Sequence, residues 1–321
     1  MREFEIKKND AGQRLDKFLQ KAVPSLPQAL LYKYLRLKRI KRNGKRADIA
    51  ARLAEGDRIQ LYIGDEFFSP GGENAFLHAP ARIDAVYEDA NVLLVYKRPG
   101  LVVHEDDRGS ADTLIARIRH YLYEKGEYDP ADELSFAPAL CNRIDRNTEG
   151  LVLAAKTAEA LRILNEKIRL REVKKFYLCL AHGVFKQKAG VLEGFLEKDS
   201  AEKRVYVHES RRPGDLSASL RYRVLGERNA LSLVEVELLT GRTHQIRAQL
   251  AYAGHPLLGD GKYGRNALDA PYGFTHQALC AYKVAFDFAS DAGALSYLKG
   301  KTVELPEVGF ARAFREGTLG R

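Results

Sequence analysis

The residues of this chain that could do chemistry concentrate in two stretches. The first is CNRIDRNTEG, residues 141–150, where Arg143, Asp145, Arg146 and Glu149 place four charges within seven residues, directly before the apolar run LVLAA. An aspartate at the lip of a buried strand stays ionised when a cation stands beside it in a partly dry site. The second stretch is TGRTHQIRAQLAYAGHPLLGDGKYG, residues 240–264. Arg247 follows Ile246 there and precedes Leu250 by three residues, at the edge of an expected apolar helix face, and an arginine so placed needs an anion. Pairing Asp145 with Arg247 meets both needs. The residues alone support a buried ion pair and leave its role open, as a structural salt bridge or as a functional group with a tuned carboxylate.

The elements that must position these residues read as follows. NVLLVYKRPG is a buried strand ending at a Pro-Gly turn, and LVVH follows as a short second strand. ADTLIARIRHYLY has helical spacing at Leu114, Ile115, Ile118 and Leu122. LVLAAK is a strand, and Thr157 is placed to cap the helix AEALRILNEKI. KFYLCLAHG, SLRYRVLGE and ALSLVEVELLTG are further strands. The helix carrying Arg247 is expected to be capped by Thr243, to bury Ile246, Leu250 and Ala253, and to end at Gly254. Strands and helices intermix without a regular βαβ series, so the class is α+β. No Gly-rich phosphate loop, GxSxG elbow or internal repeat is present.

Charge divides the chain. Residues 1–63 hold 16 Lys/Arg against 7 Asp/Glu, whereas the remainder holds 36 against 36, so the whole excess of +9 lies in the first fifth. Leu15, Phe18 and Leu19 mark one amphipathic helix, and Leu30, Leu31, Tyr34, Leu35 and Leu37 the apolar side of a second. RNGKR supplies an Asn-Gly hairpin turn, and EGD leads into a last alternating strand. Between Lys33 and Arg46 eight of fourteen residues are basic and none is acidic. A solvated helix face mixes signs, so this stretch reads as a surface for nucleic-acid phosphates, with Lys33, Arg36, Lys38, Arg39, Lys41, Arg42 and Lys45 as the contacts. Residues 1–66 are expected to form a small basic domain, residues 67–80 a linker around Pro70, Gly71 and Gly72, and residues 81–321 the main body.

Composition excludes other classes. No apolar run reaches the ~20 residues a membrane helix needs, and the first residues are not a signal peptide. Cys141, Cys179 and Cys280 are widely spaced, and the eight histidines lack ligand spacing, so neither a metal nor another cofactor is expected. Three cysteines so far apart suit a reduced cytoplasm.

These segments resemble two known families. RLDKFL, LLYKYLRLKRI, NGK and EGDRI stand where the small RNA-binding domain of the ribosomal protein S-four type has them. That resemblance covers roughly residues 12–63 and implies recognition of structured RNA by the second helix and the following turn. NRIDRNTEGLVLAAKT and GRTHQIRAQLAYAGHPLLGDGKYG resemble signature segments of RluA-type pseudouridine synthases, as do YKRPGLVVHED, KKFYLCLAHG and HQALCAYKVAFDF, collinear over about residues 81–290. The resemblance implies a mixed, largely antiparallel sheet with flanking helices, and an isomerase that detaches uracil from ribose within RNA, turns it and rejoins it through a ring carbon. Asp145 matches the family's catalytic aspartate, which works without metal or cofactor and either attacks the ribose or removes a ribose proton. Tyr177 matches the tyrosine that lies against the base and helps remove its ring proton, Arg247 the arginine paired with the aspartate, and Arg143 the residue that helps displace the target nucleotide. The base must leave its stack to react, and phosphate contacts of the basic module supply binding energy for that step.

Two positions depart from the family pattern. Asn142 stands where histidine is usual and Glu149 where many members have serine, which bears on the choice of RNA target. His104, His244 and Cys141 are expected to be structural or supporting. The expected partner is structured RNA, ribosomal RNA ahead of transfer RNA, bound by a monomer. Two rivals stand beside this reading. A non-catalytic RNA-binding or ribosome-assembly protein on the same fold would have lost Asp145, Tyr177 or Arg247, and a base glycosylase would need an activated water.

Overall fold

The computed structural model describes residues 1–68, 75–105, 109–264 and 269–320. Of the expected linker, residues 69–74 lie outside the described residues, and Asp65–Phe68 and Ala75–His78 on either side are single 3₁₀ turns. The chain forms two compact units. One comprises Met1–Ile83, His104–Ala139 and Ala155–Arg162, the other Asp84–Val103, Leu140–Ala154 and Ile163–Arg321.

The first unit opens with β1 (Arg2–Glu5), α1 (Leu15–Ala22), α2 (Gln28–Arg36), β2 (Ile40–Arg42), β3 (Lys45–Arg46) and β4 (Arg58–Leu61). The strands form a four-stranded sheet in the order β1-β4-β2-β3, antiparallel throughout. Leu15, Phe18 and Leu19 of α1 and Leu31 and Leu35 of α2 pack with Ile40, Ile59 and Leu61 into one buried core. Each such side chain contributes about 1.5–3 kcal/mol. Leu37 stands outside it, 54% exposed, because α2 ends one residue earlier and the chain turns through Lys38 at φ 59°. Asn43 and Gly44, at φ 50° and 76°, close the β2–β3 hairpin as the two positive-φ residues of a tight turn. Polar contacts join this segment to the 129–135 stretch of the same unit: Lys7 Nζ lies 2.8 Å from Asp132, Asn9 donates to Glu133 at 2.6 Å, and Ser135 donates to Asp10 at 2.5 Å.

The remaining elements in chain order are β5 (Asp84–Glu88), β6 (Val92–Lys97), α3 (Leu114–Glu124), β7 (Ala139–Leu140), β8 (Glu149–Ala155), α4 (Ala158–Arg169), β9 (Val173–His182), β10 (Ala189–Asp199), β11 (Arg204–His208), β12 (Leu216–Arg228), β13 (Leu231–Leu238), α5 (Gln245–Tyr252), β14 (Leu279–Phe286), β15 (Thr302–Glu304) and α6 (Gly309–Glu316). LVVH does not form the expected strand; only Val102 makes a bridge pairing. Thr157 caps α4 as expected, accepting from Ala160 N–H at 3.2 Å.

The large sheet of the second unit runs β11-β10-β12-β13-β9-β14-β8-β6-β5, with β15 beside β14. It is mixed and largely antiparallel. β8 and β14 pair in parallel, Cys280 opposite Glu149 and Ala281 opposite Gly150. This approach explains Gly150: at φ 115° a Cβ there would meet the Ala281 carbonyl oxygen at 2.2 Å. Because β8 and β9 are central, they read as continuous apolar runs rather than alternating ones.

Candidate active site

Asp145 sits in the loop that feeds β8, and the loop is pinned at both ends. Cys141 N–H donates to Leu153 O at 2.7 Å, and Asn142 Oδ1 accepts from Leu153 N–H at 2.8 Å. Asn142 thus closes the loop base. Thr148 N–H donates to Asp145 O at 3.1 Å, and Gln277 donates to the Thr148 hydroxyl at 3.1 Å. The far side is held by Lys97, at the end of β6. Its side chain is fully buried and its ammonium donates to three carbonyl oxygens, Arg98 O at 2.9 Å, Leu101 O at 2.9 Å and Arg146 O at 2.8 Å. Burial pushes the Lys97 amine down to about 8, against the opposing pull of the Asp145 and Glu149 charges. Glu149, the other departure from the family pattern, accepts from the Tyr96 hydroxyl at 2.6 Å.

Arg247 comes from α5. The cap of that helix is not Thr243: His244 occupies the N-cap position at φ 51° and makes no side-chain cap bond, while the Gln245 side chain ties the preceding turn, accepting from Arg242 N–H at 3.0 Å and from the Thr240 hydroxyl at 2.9 Å. Gln245 through Leu250 are all buried, so this helix is embedded rather than amphipathic, whereas Ala253 is exposed beyond its last turn. Gly254, at φ 87°, follows and ends it.

The guanidinium of Arg247 bridges two aspartates. Nη1 donates to Asp145 Oδ2 at 2.8 Å, while Nε and Nη2 donate to Asp260 Oδ2 and Oδ1 at 2.7 and 2.9 Å. Asp260 is fully buried and also accepts from Lys262 N–H at 3.0 Å and Tyr263 N–H at 3.1 Å. Burial alone would raise its pKa; the bond and charge of Arg247 with these two amides outweigh that and hold it below the ordinary carboxylate range. For Arg247 itself, burial is overcome by Asp260 and then Asp145, so its pKa is raised and it remains charged. Asp145 is the open end of this chain of charges, its side chain 25% exposed against 9% for Arg247 and 0% for Asp260.

Tyr177 lies on β9, opposite Val236 of β13 and Ala281 of β14, and is buried. Burial first and the Asp145 charge second push its hydroxyl well above the usual tyrosine value. Arg143 is exposed, two residues from Asp145 along the chain. The structure therefore brings Asp145 and Arg247 into contact and sets Tyr177 within reach of the Asp145 charge. Residue type and spacing did not single out Asp260 or Lys97, although GDGKYG and YKRPG contain them. His244 also belongs here: its Nε2 lies 4.0 Å from Asp145 Oδ2.

Elsewhere in this unit Glu197, His208 and Asp215 offer ligand atoms within 4.8 Å of one another. A cation already serves them: Arg212 Nη1 lies 3.6 Å from Glu197, and its backbone N–H donates to Asp215 at 3.1 Å. Cys141, Cys179 and Cys280 form no disulfide with one another. Among the described residues no helix is long and apolar enough to cross a membrane.

In the basic module Lys33, Arg36, Lys38, Arg39 and Lys45 are exposed. Lys41 and Arg42 are half-buried. Lys41 lies 5.1 Å above the Tyr62 ring, and Arg42 is paired with Asp57 at 2.5 Å, so the Arg42 charge is partly balanced within the module.

An aspartate held by a buried arginine at 2.8 Å, with a buried tyrosine on the same mixed sheet, is the geometry of a candidate enzyme site, and comparison with known proteins gives its class. The family described as RNA pseudouridylate synthase matches residues 91–252. The chain is 30% identical over 273 residues to the ribosomal large subunit pseudouridine synthase C of Vibrio parahaemolyticus, covering 83% of this chain and 81% of that one. It is 31% identical over 300 residues to the protein of the same name from Haemophilus ducreyi, covering 90% and 88%. The solved structure of human RNA pseudouridylate synthase domain containing 4 shares the fold, with a TM-score of 0.57 at 20% identity over 76% of this chain and 96% of that one. This chain belongs to the RNA pseudouridylate synthase family, as an isomerase that converts uridine in RNA to pseudouridine.

Proposed function

We propose that this enzyme modifies uridine in large-subunit ribosomal RNA, with Asp145 as its catalytic carboxylate. The observation that carries the site assignment is the Asp145–Arg247–Asp260 chain. It holds one carboxylate oxygen of Asp145 at 2.8 Å from a cation whose charge is shared with a second, buried aspartate. A carboxylate so held is aimed, and it shares its guanidinium with Asp260, which takes two of the three bonds, so its other oxygen is left to act as a nucleophile or base. By attack on the ribose or by removal of a ribose proton, the same group releases the base. Tyr177, whose hydroxyl stays protonated at neutral pH, is a flat wall and a hydrogen-bond donor for the detached uracil. Arg143, exposed beside the site, helps hold the duplex open where the nucleotide is drawn out.

Residues 1–66 serve as the RNA-binding module, of the ribosomal protein S-four type, with residues 67–80 connecting it to a catalytic portion from residue 81 onward. What supports this is a groove of about 770 Å³ lined by Tyr32, Leu35, Arg36, Arg46, Ala47, Asp48 and Ile49, beside the exposed basic residues of α2 and the β2–β3 turn. The large-subunit target follows the relatives named above. An RNA substrate and cysteines outside disulfides fit work in the cytoplasm, and the enzyme acts as a monomer. The test is to map pseudouridines in total RNA from cells with and without the gene, then restore the missing sites with purified enzyme. Unchanged large-subunit ribosomal RNA would overturn the target.

A further inference from the structure

We infer that His244 donates its Nε2–H to the 2′-hydroxyl of the target uridine while that hydroxyl donates to Asp145, so that this pair reads ribose against deoxyribose. The inference rests on Asp145 being the catalytic carboxylate.

A tautomer comes first. Tyr263 is held in place by its ring, which lies 5.3 Å from the Arg247 guanidinium and 5.1 Å from that of Arg204. Its hydroxyl oxygen accepts from Val205 N–H at 2.8 Å. The hydroxyl still carries its own hydrogen, and burial raises its pKa, so it stays protonated. Among the described residues the acceptor in reach is His244 Nδ1, at 3.0 Å. Were Nδ1 the donor instead, the phenol oxygen would accept twice and its hydrogen would be left unpartnered. Nδ1 therefore accepts. Burial, opposed by Asp145 and helped by the Arg247 and Lys262 charges, lowers the pKa of His244, which favours the neutral ring that an accepting Nδ1 requires. A neutral imidazole accepting at Nδ1 carries its proton at Nε2. The relay from the Val205 amide through Tyr263 thus fixes a donor on the side that faces Asp145.

The gap between the two groups has the size of one oxygen atom. Nε2 and Asp145 Oδ2 are 4.0 Å apart, too far for a direct bond, and both side chains are partly open, at 16% and 25%. An oxygen about 2.8 Å from each fits across that gap and sees them at roughly a right angle. The group must accept from Nε2–H and donate to a carboxylate. Uracil carbonyls only accept, and the uracil N3–H only donates. Within an RNA chain the 3′ and 5′ oxygens are esterified. The 2′-hydroxyl is the one group of an internal uridine that does both, and it is attached next to the carbon on which the glycosidic bond is made and broken.

The test compares one RNA carrying uridine at the target position with the same RNA carrying 2′-deoxyuridine there. Single-turnover rates are measured with enzyme in excess, and the deoxy RNA is also titrated as a competitor, so a preference is read whether or not it is converted. Taking the ratio within each preparation cancels any loss of folded enzyme. The wild type should prefer uridine. His244→Ala should shrink that preference about tenfold, the value of one neutral hydrogen bond, and His244→Gln, whose amide nitrogen falls near the Nε2 position, should restore most of it. Tyr263→Phe, which releases the tautomer, should lower the preference in between. If His244→Ala slows both RNAs equally, His244 is a structural residue or the gap holds water, and the inference falls. Should that variant not fold, an unchanged preference in Tyr263→Phe overturns it alone. The wider reading has its own test: an active Asp145→Asn enzyme would remove the site assignment, whereas an inactive one with no change in preference for His244→Ala removes only this inference.

Discussion

Replacing Arg247 by methionine keeps the volume of the side chain's stem and deletes the cation between two carboxylates. Asp260, fully buried, loses the two bonds at 2.7 and 2.9 Å and keeps only its two backbone amides, and Asp145 loses its bond at 2.8 Å. Removing one partner of a buried pair costs on the order of 3–5 kcal/mol, because the remaining charge stays in the dry site. At roughly 2–4 °C per kcal/mol for a unit of this size, Tm should fall by about 6–20 °C. The sign of the pH dependence follows. In the wild type the Asp260 pKa is lowered, so its contribution is present above the unfolded value near 4 and is lost as pH falls through the folded one. Without Arg247 the folded pKa rises above the unfolded value, and the variant loses stability as pH climbs through that range. The gap between the two proteins should therefore be small below pH ~4 and full at pH 7. Urea unfolding at several pH values measures it. Adding Asp260→Asn to Arg247→Met should recover part of the loss by removing the stranded charge. Equal stability of Arg247→Met and wild type at pH 7, or a double variant weaker than the sum of the singles, would refute the buried-bridge account.

Asp145→Asn should abolish pseudouridine formation while RNA affinity stays within a few fold, since phosphate contacts carry most of the binding. Because Arg247 keeps both bonds to Asp260, that variant should lose far less stability than Arg247→Met. Lys97→Met removes the ammonium from three carbonyl oxygens that now accept at 2.8–2.9 Å, leaving Arg146 O the Gly100 N–H at 3.0 Å, at about 2–3 kcal/mol, and a chemical-denaturation midpoint equal to the wild type would contradict it. Neutralising Arg36, Lys38 and Lys45 to glutamine, each exposed, should flatten the log–log salt dependence of RNA binding by about 0.7–0.9 for each phosphate no longer neutralised. An unchanged slope would move the RNA anchor elsewhere. Point changes are the sounder probe of this module, because Lys7, Asn9 and Asp10 bond to residues 132–135 and a deletion would strand those partners.

Much of this protein was legible in its residues because the governing forces act over a few positions. Leu15, Phe18 and Leu19 share a face at helical spacing wherever the helix packs, and Asn43-Gly44 takes a positive-φ turn for reasons internal to two residues. LVLAA is a central strand because unbroken apolar runs have nowhere else to go. The link between Asp145 and Arg247, 102 residues apart, was reachable by a different route, since each charge needed a partner and the long motifs around them resemble one family. What lay beyond reach depends on depth and on backbone atoms. Asp260 takes two of the three guanidinium bonds, yet nothing in GDGKYG marks it as fully buried. Lys97 answers three carbonyl oxygens, which leave no trace in a sequence. His244 rather than Thr243 stands at the N-cap of α5, in a left-handed conformation that residue spacing did not announce. Leu37 and Ala253 fall past the ends of their helices, where apolar spacing no longer predicts burial. Local pattern determined the elements and the family. Which buried charge meets which partner was decided only when packing excluded water and left each group the neighbours that the fold supplied.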